Sequence, residues 1–263
     1  MTIKALTNEQ HRNVLKKLVD FRKIIKGIKL HPAGPEYTSL MVCFLSHNLS
    51  SADCLLRLYD SFGDEYFPTT VGYTIVRPMF EIDVTGHYIT RDAYKRAHQY
   101  ILYESVLEKQ QMDACRKHRN SKNSNWGEAM EEAWQHGWGL IQTEVNSRYD
   151  SVRNHFENSL KKGKSIRNWS GKSIRQMALE VEHEEAYDIF YADLSSFTHV
   201  DVRLANRFLR LSPKEGMSWS IRARPQDIGG VFRYAGIFLT CFLILFGQEF
   251  KMWSEKDVED CWG

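Results

Sequence analysis

The stretch Tyr234–Phe246, "YAGIFLTCFLILF", is the most apolar part of this 263-residue sequence. At 13 residues it is shorter than the roughly 20 residues that a helix needs to span a bilayer. A buried core helix is therefore preferred over membrane contact. We predict that this helix begins at Asp227 and that the chain has no membrane span.

Apolar residues recur at helical spacing along most of the remaining sequence, and no alternating strand pattern is present. Pro78 lies inside one predicted helix, and a short extended piece is expected within residues 211–225. We predict an all-α, irregular bundle of seven or eight helices in a single domain, residues 1–263. Residues 1–35 form its N-terminal helix and linker, and residues 38–250 form its helical core. The predicted helices are an N-terminal one capped by Thr7 or Asn8, then 38–59, 68–89, 91–119, 126–160, 173–210 and one from 227.

Composition and cysteine usage indicate an intracellular setting. The net charge is only +2, so overall charge does not indicate nucleic-acid binding. The first 13 residues, "MTIKALTNEQHRN", lack the apolar run of a signal peptide. The five cysteines form no C-x-x-C pair, which predicts reduced thiols in the cytoplasm, with neither a disulfide framework nor a zinc site.

The stretch "YDIFYADLSSFTH", residues 187–199, places a polar residue at every fourth position: Tyr187, Tyr191, Ser195 and His199. On a helical wheel of 100° per residue this line begins at the edge of a core stripe and moves away from it. The predicted stripe consists of Ala186, Phe190, Leu194 and Phe197. One interpretation is that the polar residues tie the helix to its neighbours by hydrogen bonds. The other is that His199 lines a cleft as an acid, a base or a phosphate donor.

A second polar pair lies in "VRPMFEIDVTGHY", where Arg77 and Glu81 are four residues apart on a largely apolar helix. Buried charges are rarely left unpaired, so an Arg77–Glu81 ion pair is expected. The pair has either a structural role or a binding role. In the second case Arg77 faces a cleft and binds an anion, with Glu81 fixing the guanidinium.

A basic segment with interleaved aromatic residues runs from Arg148 to Arg175. Such a segment can bind phosphates and stack bases, although a solvated linker is the simpler interpretation. The acidic run "EHEEAYD" can direct Glu184 and Asp188, or His183, toward a metal, but a solvated face is preferred. We predict no metal and no cofactor. The candidate nucleic-acid-binding residues are Arg148, Arg153, Lys164, Arg167, Trp169 and Lys172.

Three motifs together resemble those of a bacterial all-helical family of unknown function. The first is R-x-x-x-E, carried by Arg77 and Glu81. The second is W-x-G-x-S-x-x-x-x-A, which starts at Trp169, and the third is Y-x-x-x-Y-x-x-x-S-x-x-x-H, which starts at Tyr187. The likeness covers roughly residues 40–250.

This family is in turn similar in appearance to the HEPN helical nucleases, many of which act in antiviral defence or as toxins. The resemblance implies metal-independent RNA cleavage through the 2′-hydroxyl, promoted by an arginine and a histidine in R-x(4–6)-H. The sequence has two matches, Arg91/His98 and Arg148/His155, and about two are expected by chance. His199 has no upstream arginine at this spacing, so Arg77 can serve only if the fold brings it close.

Two functional hypotheses follow. In the first, the chain is a HEPN-like effector that cleaves RNA, and His199 is its general acid or base. Such sites often form between two protomers, so a homodimer is expected in this case. Arg77 then stabilises the phosphorane, Glu81 orients Arg77, and Tyr191 and Ser195 supply hydrogen bonds. In the second, the chain is a non-catalytic helical module that binds a partner protein or a ligand.

Overall fold

The computed structural model describes residues 6–119, 126–157, 166, 168–198, 209–212, 216–219 and 225–263. The chain divides into two compact units. The first unit comprises Met1–Arg91 and Ile174–Gly263, and the second comprises Asp92–Ser173. That the chain is a single domain stays a prediction.

The protein is all-α, as predicted. Its described residues form nine helices, two more than the seven listed above. The predicted helix 173–210 is divided at residues 181–183, and the short helix Glu255–Glu259 was not predicted. Two helices contain a π-helical turn. The helices are α1 Asn8–Asp20, α2 Pro35–Tyr66, α3 Thr69–Thr90, α4 Ala93–His118, α5 (Trp126–Ala133, π turn Trp134–Trp138, Gly139–Glu157), α6 Ile174–Glu180, α7 (Glu184–Ala186, π turn Tyr187–Tyr191, Ala192–Thr198), α8 Pro225–Phe250 and α9 Glu255–Glu259.

Short elements connect these helices. Single 3₁₀ turns follow α1 at Phe21–Lys23 and α9 at Asp260–Trp262. Two four-residue strands, β1 Leu209–Ser212 and β2 Gly216–Trp219, form an antiparallel pair in which Leu209 lies opposite Trp219. This pair includes part of the short extended piece that was expected between residues 211 and 225.

The helix α8 lies in the interior of the first unit, as its sequence predicted. Phe238, Phe242 and Phe246 are buried along it. The helix is 26 residues long, so the argument that it is too short to span a bilayer does not hold. By length and composition Asp227–Phe250 could cross a membrane, but 67% of its most apolar window is buried within the protein. The absence of a membrane span stays a prediction, supported by this burial.

The helix α3 packs tightly against α8. A Cβ atom at Gly86 would lie 2.7 Å from Phe242 Cε2, and one at Gly72 would lie 2.9 Å from Val231 Cγ1. Glycine at these positions therefore allows the two helices to approach closely. Residues 69–90 form a helix rather than a strand, as predicted, and Pro78 lies within it.

The second unit contains α4, α5 and the bend that follows them. Tyr103 of α4 contacts Phe156 of α5 edge to face, with ring centroids 5.8 Å apart. Gly171 adopts φ +71° in the bend, a conformation that favours glycine. Asn168 Nδ2 and Ser170 Oγ donate to the Lys172 carbonyl at 3.1 and 3.2 Å and close the turn. Much of the W-x-G-x-S motif is therefore explained by a local turn.

Candidate functional site

Three polar side chains from α3 and α7 form one hydrogen-bonded group, which we call the Arg77 cluster: Arg77, Glu81 and Tyr191. Arg77 Nε donates to Glu81 Oε1 at 3.0 Å, which is the ion pair that the sequence predicted. Arg77 NH2 donates to the Tyr191 hydroxyl at 3.0 Å. That hydroxyl donates to Glu81 Oε1 at 3.3 Å and closes the triangle. Residues 110 or more positions apart in sequence thus meet at one point.

The Arg77 cluster is partly open to solvent. The side chain of Arg77 is 19% exposed and that of Glu81 is 34% exposed. Burial opposes the charge of Arg77, but the hydrogen bonds to Glu81 and Tyr191 and the charge of Glu81 outweigh it and raise the guanidinium pKa. Burial and the Glu81 charge raise the pKa of Tyr191. Near neutral pH the cluster therefore contains a charged guanidinium and a neutral phenol that can donate a hydrogen bond.

Tyr191 is the last residue of the π-helical turn Tyr187–Tyr191. The rings of Tyr187 and Tyr191 stack with centroids 4.6 Å apart. The expected core stripe is present after the turn, where Leu194 and Phe197 are buried. Phe190, inside the turn, is only half-buried, because a π turn departs from the 100° wheel on which the stripe was predicted. π turns occur frequently at functional sites.

The predicted catalytic histidine, His199, lies outside the described residues. It follows Thr198, the last described residue of α7. Ser195 lies on α7 one turn after Tyr191 and is half-buried. Of the five predicted catalytic residues, three therefore form the Arg77 cluster and a fourth shares a helix with Tyr191.

Three described residues of the predicted nucleic-acid-binding segment, Arg148, Arg153 and Trp169, contact other side chains of the protein. Arg148 forms ion pairs with Glu108 at 3.0 Å and Glu144 at 3.7 Å, and Arg153 with Asp150 at 3.5 Å. Trp169 is only 8% exposed and contacts the Tyr100 ring, so its indole packs in the second unit instead of offering a surface for base stacking.

Of the remaining predicted residues in this segment, the structure describes only Lys172. Lys172 is half-buried, and its backbone forms the turn described above. Lys164 and Arg167 lie outside the described residues.

A group of three potential ligands lies in the first unit: Asp83, His87 and His183. One ligand atom from each lies within 4.8 Å of the other two. The sequence interpretation named His183 as a possible ligand but missed Asp83 and His87. Asp83 and His87 are four residues apart on α3, and this spacing is the signal that could have found them. Burial lowers the pKa of His183. Burial also acts against the charged form of His87, but the Asp83 charge and hydrogen bonds outweigh it and raise its pKa.

The two acidic residues that accompanied His183 in the sequence-based metal hypothesis do not join this group. Asp188 is exposed and forms an ion pair with Arg175 at 3.7 Å. Glu184 is exposed in the first turn of α7.

Comparison with protein families assigns this chain to a family. Residues 44–217 match the model of a family of unknown function, DUF5677. The chain belongs to the DUF5677 family. No curated protein and no solved structure matches it. The matched range includes Arg77, Glu81, Tyr191 and the bend at Gly171, so these features lie within the family region of the sequence.

The DUF5677 chain also has a polar pocket of about 360 Å³ in its first unit. Residues from outside the matched range contribute to it, including His11 of α1 and Arg233 of α8. Gly230 in the first turns of α8 allows the Tyr73 hydroxyl to approach, since a Cβ there would lie 2.3 Å from it. The other polar lining residues include Asn8, Asp193, Asp227 and Tyr234.

His11 should make the stability of the DUF5677 chain depend on pH. Its side chain is buried, and its Nδ1 has no hydrogen-bond partner among the described residues. Burial and the Arg233 charge lower its pKa below the ordinary value of 6.5. The unfolded chain therefore takes up a proton at this position before the folded chain does, and stability is lost as the pH falls below about 6.5.

The measurement is the urea midpoint at about pH 5.5 and about pH 7.5 for the parent chain and for His11→Gln. The parent should lose more stability on acidification than the variant. His47→Gln, which removes an exposed histidine, serves as the matched control. Equal pH dependence of stability in the parent and in His11→Gln would contradict the prediction that His11 destabilises the folded chain at low pH.

Proposed function

We propose that this chain is a HEPN-like helical effector of bacterial antiviral defence or toxin type that cleaves RNA without a metal ion. The observation that carries the proposal is the Arg77 cluster, a partly exposed arginine held by a carboxylate and a phenol. The similarity in general appearance between this family and the HEPN nucleases supports the choice of RNA as substrate.

The cluster offers a preorganised donor for a phosphate. Two bonds fix the planar guanidinium of Arg77, one to Glu81 and one to Tyr191, so little side-chain entropy is lost when an anion approaches. Arginine stays charged throughout the accessible pH range. A fixed positive charge near the phosphorus stabilises the additional negative charge of a pentacoordinate phosphorane.

The proposed reaction needs only proton transfer and charge stabilisation. The ribose 2′-oxygen attacks the adjacent phosphorus while His199, acting as general base, takes its proton. The P–O5′ bond breaks, the 5′-oxygen leaves and receives a proton, and a 2′,3′-cyclic phosphate remains. Glu81 positions Arg77, and Tyr191 and Ser195 supply hydrogen bonds. The second acid or base can come from a second copy in a homodimer.

RNA cleavage in EDTA tests the proposal. Purified chain is incubated with end-labelled RNA, beside His199→Ala and Tyr191→Phe. We expect the parent to release fragments that end in a cyclic phosphate, His199→Ala to be inactive, and Tyr191→Phe to be slower by about 10-fold or more, since it removes one hydrogen bond to a charged group. RNA with 2′-O-methyl groups should remain intact.

A structurally matched control is available for the tyrosine. The Tyr59 hydroxyl donates to Asp64 Oδ1 at 2.9 Å, and the Arg12 guanidinium lies 4.3 Å from the Tyr59 ring centroid. Tyr59→Phe therefore removes a similar hydrogen bond elsewhere and should leave cleavage unchanged. Equal cleavage by the parent and His199→Ala would point to a contaminating nuclease and contradict the proposal.

A second candidate function is that of a non-catalytic module, and the polar pocket supports it. A pocket of about 360 Å³ lies within the usual size range for small-ligand sites. Asp193 and Asp227 lie at one pocket together with Arg233, which suits a small molecule that carries both a positive and a negative group. Intact RNA in the experiment above, together with ligand-dependent stabilisation lost in Arg233→Ala, would favour this second function. Both proposed functions suit a cytoplasmic protein. In the second function, the module can bind a partner protein as well as a small ligand.

A further inference from the structure

We propose that Asp83, His87 and His183 bind a divalent transition-metal ion of the zinc type. This site is separate from the Arg77 cluster and takes no part in the proposed RNA cleavage. Its three ligand residues come from two places: Asp83 and His87 from α3, and His183 from the turn between α6 and α7.

The distances between the ligand atoms suit a single ion. One ligand atom of each residue lies within 4.8 Å of the other two, and His183 Nδ1 lies 3.8 Å from Asp83 Oδ2. Two ligand atoms on one tetrahedral zinc ion lie about 3.4 Å apart, because each bond is about 2.0–2.2 Å long. Binding therefore needs the ligand atoms, which lie within 4.8 Å of one another, to approach to about 3.4 Å, and the two imidazole rings are already adjacent, with centroids 4.6 Å apart.

The carboxylate of Asp83 is the observation that points to a bound cation. Its side chain is only 5% exposed, and its Oδ1 atom has no hydrogen-bond partner among the described residues. His87 Nδ1 lies 3.3 Å from this oxygen, but its single N–H donates to the Asp83 backbone carbonyl, which is closer at 2.9 Å. With Nδ1 donating to that carbonyl, the lone pair of His87 is on Nε2, where it is available to a metal.

The backbone holds His183 beside Asp83 at some cost. Glu182 adopts φ +64°, a left-handed conformation that a non-glycine residue seldom takes. His183 N donates to the Ala178 carbonyl at 2.8 Å, and Glu182 N to the Leu179 carbonyl at 3.4 Å. These two bonds form a Schellman motif at the end of α6. The His183 side chain is therefore carried on a fixed turn and not on a free loop.

The donor set selects the class of metal. Two imidazole nitrogens and one carboxylate oxygen suit zinc and its neighbours in the first transition row, whereas Mg²⁺ and Ca²⁺ prefer oxygen ligands only. The side chains of His87 and His183 are each 24% exposed, so water can reach the site. Three protein ligands leave a fourth position for a water molecule or another small ligand.

The test is titration of the full chain with Co²⁺ after EDTA treatment and dialysis, with visible absorption as the signal and Zn²⁺ as the competitor. We expect one Co²⁺ per chain, displaced by Zn²⁺, and a Zn²⁺-dependent rise in the unfolding temperature. His183→Gln should weaken binding at least about 100-fold, since it removes a direct ligand and not merely an outer-shell partner. Asp83→Asn should have the same effect, and circular dichroism checks that both variants fold.

The second unit supplies the matched control. His98 and His155 also lie close together, with ring centroids 6.0 Å apart, but no carboxylate joins them in a three-ligand group among the described residues. His98→Gln should therefore bind Co²⁺ as the parent does.

Three results would overturn the proposal: no Co²⁺ binding by the parent, unchanged binding by folded His183→Gln, or binding lost in His98→Gln. Cleavage of RNA in EDTA is measured without metal, so the two proposals can fail independently. Arg77→Lys should bind Co²⁺ normally.

Discussion

Arg77→Lys is expected to reduce RNA cleavage in EDTA by about 100- to 1,000-fold, the loss typical of removing one preorganised donor to a developing oxyanion. Lysine keeps the positive charge but lacks the planar fork. A single ammonium group cannot reproduce the directed bonds from Nε to Glu81 and from NH2 to Tyr191. The variant therefore keeps a positive charge at residue 77 but no longer holds it in a fixed position. The measurement is the single-turnover rate on one end-labelled RNA.

A second ion pair between an arginine and a carboxylate four residues away provides the control for this variant. Arg57 Nε donates to Asp53 Oδ2 at 2.8 Å, also four residues apart, on the exposed face of α2. Arg57→Lys should change neither cleavage nor stability appreciably, because exposed pairs of this kind contribute little. Full activity of Arg77→Lys would show that the fork has no catalytic role and would leave the cluster a structural one.

Phe242→Ala is expected to lower the free energy of unfolding by about 3–5 kcal/mol, the usual cost of removing a buried phenylalanine side chain. Phe242 is fully buried on α8 and contacts the Phe44 ring edge to face at 6.3 Å. It also faces Gly86 of α3, where an added Cβ atom would lie 2.7 Å from the Phe242 ring. The resulting cavity would therefore lie where three helices meet, and backbone atoms cannot readily fill it. Urea unfolding of both proteins measures the difference.

Phe62→Ala is the matched control, since the same atoms are removed from a side chain that is 49% exposed. We expect a change of no more than about 0.5 kcal/mol for this surface substitution. If Phe242→Ala cost no more than Phe62→Ala, α8 would not be the core helix of the first unit in solution.

Helical periodicity predicted the fold well because it depends on local spacing. The apolar run of α8, the cap at Thr7 and the break around Gly34 all follow from nearby residues. The ion pair of Arg77 and Glu81 was predictable for the same reason, since residues four apart on a helix are neighbours.

Features that depend on contacts distant in sequence were not predictable in the same way. No spacing rule connects Tyr191 to Arg77 or His183 to Asp83, because α3 and the α6–α7 region meet only through tertiary packing. Trp169 was misread for a related reason: an aromatic residue among lysines resembles a stacking platform until its burial against Tyr100 is known. The π turn at Tyr187–Tyr191 is also invisible to a fixed 100° wheel.

The π turn at Tyr187–Tyr191 limits the insertions and deletions that this segment of α7 can accept during evolution. A π turn accommodates an additional residue relative to an α turn, so the residues before Tyr187 and after Tyr191 have different rotational registers. Loss of one residue, even the exposed Ile189, would let α-helical bonding continue through the segment but would remove the wide turn that carries Tyr187 and Tyr191. The length of this segment is therefore more tightly constrained than the identity of its exposed residues. Gaps between related sequences should fall outside it.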